Sequence, residues 1–160
     1  MKVSYFRLLM MICCVLILTL FPLPGSLVNL RPLWVMLVLL YIQCMLPDLF
    51  HYIWVVLLGL MLDVLFVAPL GEHMFALCVV AGFVSSRARR FKFFTQPQQM
   101  IWVFCLTTIY QIILAIIHYV LGHSTDVMQF ITPIITSVLV WPLVIFLMDF
   151  LLRIKQRAHF

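Results

Sequence analysis

Residues 54–77, WVVLLGLMLDVLFVAPLGEHMFAL, set one carboxyl group, Asp63, in the middle of an otherwise apolar run. An acid at bilayer depth costs at least about 2.5–3.5 kcal/mol, so its place is against protein or water rather than lipid. Gly59 lies one helical turn earlier on the same face, where a missing side chain lets a neighbouring helix approach closely. Pro69 and Gly71 then interrupt the helix. Glu72 and His73 add polarity, so the chain is expected to reach the membrane surface there before a new apolar segment begins at Met74.

The whole chain has this character. Of its 160 residues 66% are hydrophobic and 9% charged, against about 25% charged in a soluble domain. The composition excludes a soluble fold and leaves room for about six spans of roughly 20 residues with short loops. The net charge of +5 does not indicate nucleic acid, because the basic residues flank apolar spans, where topology and anionic lipid account for them. Cys13, Cys14, Cys44, Cys78 and Cys105 all fall in apolar segments without a C-x-x-C pair, and read as small buried hydrophobes.

The expected fold is an all-α integral membrane bundle, one domain over 1–160, with spans at about 5–22, 31–47, 50–69, 74–87, 99–121 and 130–152. The first resembles an uncleaved signal: it has a basic start but no A-x-A site before Gly25. In the fourth, Cys78, Gly82 and Ser86 form a small-residue face suited to tight packing. The fifth carries Thr107, Thr108, Gln111, Ala115 and His118 at three- and four-residue spacing, a polar stripe turned to the bundle interior. Trp141 and Pro142 mark the last span, where Asp149 and Arg153 have the i, i+4 spacing of an interfacial ion pair. Between the fourth and fifth spans lies the densest charge of the chain, Arg87, Arg89, Arg90 and Lys92. It reads as a cytoplasmic loop serving as a headgroup anchor or as a dock for an acidic partner. Placing both termini in the cytoplasm puts nine of the ten basic residues there and leaves Arg31 alone outside. Arg31 and Asp63 then share the outer half of the membrane and are candidates to pair.

No catalytic, cofactor or metal constellation emerges. No nucleophile stands near a histidine in a known pattern, there is no glycine-rich phosphate loop, and His51, His73, His118 and His123 lack metal-ligand spacing. The interior stripe leaves two readings open, helix-to-helix bonding and a ligand pocket.

In order and spacing these segments resemble the rod shape-determining MreD family of bacterial inner membranes. The likeness runs through a first span ending in FPLP, Arg31-Pro32-x-Trp34 opening the second and Leu46-Pro47 closing it. It continues through Gly59-Leu-x-Leu-Asp63, Leu70-Gly71-x-His73-x-x-Ala76-Leu77, the basic loop and Trp141-Pro142 with a basic tail. One departure is visible: the glycine usual four residues after the acid is Val67 here. The resemblance implies a non-enzymatic scaffold subunit of the cell-elongation complex, supporting lateral peptidoglycan synthesis. It implies MreC as first partner, MreB, RodA and a transpeptidase penicillin-binding protein in the same complex, and membrane lipid around the bundle. It also implies a bundle similar to the substrate-binding subunits of energy-coupling-factor vitamin transporters. The alternative is therefore a transporter subunit that binds a small molecule or lipid.

Overall fold

In a computed structural model, residues 5–20, 31–47, 50–91, 93–122 and 127–152 are described, and these are helical with short turns. The helices are α1 (Tyr5–Leu20), α2 (Trp34–Met45), α3 (Tyr52–Leu65), α4 (Glu72–Ser85), the single turn α5 (Ala88–Phe91), α6 (Gln96–Val120) and α7 (Val127–Leu152). A helix of 12 to 26 residues overlaps each of the six segments expected to be spans. The chain ends, the FPLP segment and its Gly25, the loop at 123–126, Lys92 and the basic tail with Arg153 lie outside the described residues, as does the side chain of Arg89.

α2 is the axis of the bundle. Ten consecutive residues from Val35 to Cys44 are buried, as befits a helix apolar on every side, and α1, α4, α5 and α7 pack around it. α3 folds back on α4, α4 lies against α6, and α6 pairs with α7. The close approach of α3 to α4 depends on Gly59: a Cβ there would overlap Met74 Cα and sit 2.9 Å from Met74 N.

Among the described residues two helices are long and apolar enough to cross a membrane, Gln96–Val120 and Phe130–Phe150. α6 starts at a capping box of Thr95 and Gln98, with the Gln98 side chain accepting the Thr95 N–H at 3.1 Å. Its 25 residues span about 37 Å at 1.5 Å per residue, beyond the roughly 30 Å of hydrocarbon. Along α7, Ile131, Ile135, Leu139, Leu143, Phe146 and Phe150 are all exposed. Their three- and four-residue spacing makes one continuous apolar stripe facing away from the bundle, which suits lipid and not water. α2, α3 and α4, at 12 to 14 residues, cover only about 18–21 Å each.

Buried polar groups tie the helices together, the role such groups have where lipid offers no hydrogen bonds. The Gln43 amide donates to the Ala81 carbonyl at 2.7 Å, joining α2 to α4. The Leu33 N–H donates to the Ser137 hydroxyl at 2.9 Å, and the Tyr41 hydroxyl donates to Asp149, both joining the α2 region to α7. Trp141, 1% exposed, donates its indole N–H to Gln99 at 3.3 Å and meets Phe91 edge-on. Asp149 thus has Tyr41 of α2 as a partner, and the expected contact with Arg153 lies outside the described residues. The cysteines differ from expectation. Cys44 is buried, but Cys13, Cys14 and Cys105 are on the outer surface, where a small, weakly polar thiol sits in lipid at little cost.

Candidate functional site

The turn between α3 and α4 is built around Asp63. α3 ends in a Schellman motif: the Ala68 N–H reaches back to the Asp63 carbonyl at 2.9 Å and the Val67 N–H to the Val64 carbonyl at 3.4 Å. The Asp63 side chain, fully buried, then turns toward the start of α4. Oδ2 accepts the Gly71 N–H at 2.8 Å, and Oδ1 accepts the His73 N–H at 2.8 Å and faces His73 Nδ1 at 3.1 Å. An acid eight residues upstream therefore caps α4, supplying the acceptors that a helix start lacks. Gly71 permits this with φ of +100°, a backbone region costly for any residue with a Cβ.

Glu72, one residue into the new helix, is 3% exposed. Polarity at this turn therefore does not mean exposure of the Glu72 side chain, although Val67 and Leu70 in the same turn are exposed. The reason is tertiary: α6 runs back past the start of α4 and brings His118 Nε2 to 2.7 Å from Glu72 Oε1. His73 lies between the two acids, stacked on Phe66 with ring centres 5.6 Å apart and edge-on to Tyr110 of α6 at 6.3 Å. Asp63, Glu72, His73, Tyr110 and His118 thus form one cluster at a single end of the bundle. Among the described residues no group of three histidine, cysteine or acidic side chains is arranged to hold a metal ion. The two acids are met unequally: backbone N–H groups stand at Asp63 where water would otherwise be needed, whereas both Glu72 carboxyl oxygens are buried without a hydrogen bond among the described residues, His118 Nε2 being the imidazole nitrogen beside them.

The donors seen at Asp63 among the described residues come from its own hairpin. Of the α6 stripe, Thr107 and Gln111 are buried, and the Thr107 hydroxyl is spent on the Val103 carbonyl at 2.8 Å.

The rod shape-determining protein MreD family matches residues 2–151. The chain belongs to the MreD family. It is accordingly a membrane protein with a role in rod-shape determination. No solved structure matches it. In this member of the family the departure at Val67 falls at a telling place. Val67 occupies the residue after the α3 C-cap with φ of +51° and is 92% exposed, the left-handed position that glycine takes without strain.

The other end of this MreD chain carries the basic residues. Arg87 and Arg90 are exposed around the single turn α5, and the Arg87 guanidinium lies over the Trp102 ring at 5.3 Å. Gly82 lies in open space among the described residues: a Cβ built there meets no neighbouring element within 4 Å. Within the described residues the small-residue face of α4 is open at this point.

Proposed function

We propose that this MreD-family chain is a non-enzymatic scaffold subunit of the bacterial cell-elongation complex, sited in the cytoplasmic membrane with six spans and both termini inside. MreC is the first partner, with MreB, RodA and a transpeptidase penicillin-binding protein assembled around it, and the complex supports lateral peptidoglycan synthesis. The observation that carries this reading is how the interior polar groups are used. Gln43, Tyr41, Trp141, Asp63 and Glu72 each meet a group of the same chain, so they stitch helices together, while the outward faces of α6 and α7 offer apolar surface to lipid or to other helices. By the positive-inside rule the Arg87–Arg90 end is cytoplasmic, which puts the acid–imidazole cluster toward the outer face. Spans as short as α3 and α4 fit when their flanking turns carry the remaining depth or the bilayer thins around them. The bundle likeness to vitamin-transporter binding subunits belongs to this same proposal.

Purification in mild detergent tests it: MreC is expected to copurify, whereas a stoichiometric small ligand in its place would favour a transporter subunit. Reporter fusions after Gln96 are expected to read cytoplasmic and after Ser124 outer. A reversed pattern contradicts the orientation.

A further inference from the structure

The face of α4 left open at Gly82 continues into a groove of about 600 Å³ lined by Val79, Gly82, Phe83, Ser86, Arg87 and Arg90. Its two halves differ in chemistry. Val79, Gly82 and Phe83 give it an apolar floor and wall, with Phe83 half exposed. Ser86, Arg87 and Arg90 give it a cationic mouth one to two helical turns further along. Among the described residues neither arginine has a carboxylate within ion-pair distance, since the acids that do form such contacts are Asp63 and Glu72 at the far end of α4. Arg87 is held in place by the Trp102 ring, so part of its side-chain freedom is already lost before anything binds. Phe93, 88% exposed, and Trp102 put aromatic side chains at this level, as at a membrane–water interface.

We infer that this groove binds an anionic glycerophospholipid, its phosphodiester between the Arg87 and Arg90 guanidinia and one acyl chain along Val79, Gly82 and Phe83. Charge complementarity selects the occupant: a basic pocket beside a helix at the cytoplasmic interface attracts an anionic headgroup, and the guanidinium fork matches phosphate oxygens. The apolar floor distinguishes a seated lipid from diffuse attraction to a charged surface. Serine and glycine at the step between mouth and floor leave room for the glycerol backbone to pass.

The test is native mass spectrometry of the full chain released from nanodiscs of equimolar phosphatidylglycerol and phosphatidylethanolamine. The wild type is expected to retain phosphatidylglycerol in preference. Arg90→Gln lowers that preference about fivefold, and the Arg87→Gln/Arg90→Gln pair lowers it further. Gly82→Leu, which fills the groove without touching charge, lowers retention of phosphatidylglycerol while the arginines remain. Because Arg90 is exposed and Gly82 meets no neighbour, both single variants fold even if loss of the Trp102 contact makes the pair unstable. Equal retention of the two lipids by the wild type overturns the inference, as does an unchanged preference in Arg90→Gln. Full retention in Gly82→Leu also overturns it, leaving only surface attraction. So does an acidic cytoplasmic protein segment found on the arginines in place of lipid.

Discussion

At the start of α4 the carboxyl groups of Asp63 and Glu72 are shut away and touched by His73 and His118. At its finish, about 20 Å away, Arg87 and Arg90 stand exposed, with no acid beside them among the described residues. The difference follows from sign and depth. A carboxyl group buried in the bundle must find its donors within the chain, and the search for donors builds a joint: α3 is tied to α4 through Asp63, and α4 to α6 through Glu72 and His118. Cations at an interface meet water and headgroups, so they need no internal partner and keep their bonding capacity for something outside. One end of the helix is therefore where the fold is made, and the other is where the molecule meets its surroundings.

The comparison breaks first at Asp63. Asp63→Ala leaves the Gly71 and His73 N–H groups without acceptors in a dry place, a loss of about 3 kcal/mol. The midpoint of thermal unfolding in mild detergent should drop by roughly 6–12 °C. Gly59→Val comes next: its side chain meets the Met74 backbone, so α3 and α4 must move apart at a cost of about 2–3 kcal/mol, read as a lower midpoint and faster proteolysis of the hairpin. Val67→Gly acts in the opposite direction. Glycine relieves the left-handed strain at that exposed site and should raise the midpoint by the equivalent of about 1 kcal/mol; a lower midpoint would mean that the valine side chain makes a contact of its own. Smallest of all, Arg90→Gln should leave the midpoint within about 0.5 kcal/mol of wild type. A larger fall would place Arg90 in the fold and erase the contrast between the two ends.

The joint was half legible in the sequence. Asp63 stands out because an acid in an apolar run must have a partner, and Gly59 and Gly71 follow from spacing and from turn chemistry. What local pattern hides is which groups answer the acid. Pro69, Gly71, Glu72 and His73 look like a chain leaving the membrane, because a proline, a glycine and two polar residues together usually do. What they do not reveal is that the Glu72 side chain is covered by His118, 46 residues later. A usable signal was present in the α6 stripe: His118 lies seven residues after Gln111, on the same face, at the end of a helix that runs antiparallel to α4. Tyr41 and Asp149 were hidden for a related reason, since a tyrosine inside an apolar run reads as core until a distant acid is found at its hydroxyl. At Gly82 the sequence leaves the neighbour unspecified. Small residues permit close packing but do not supply a helix to pack against, and there the chain leaves open space.

The division of labour along α4 is tested most directly by the amount of MreC retained per folded molecule of Asp63→Ala, measured on the monodisperse fraction after detergent extraction. Less folded protein overall is expected but an unchanged ratio of MreC, the proposed partner, to the molecules that do fold, because the acid–imidazole joint acts through the fold. A variant that folds in normal yield with an unaltered unfolding midpoint and yet loses MreC would contradict it, and would make the buried cluster itself a partner-contact or signalling site.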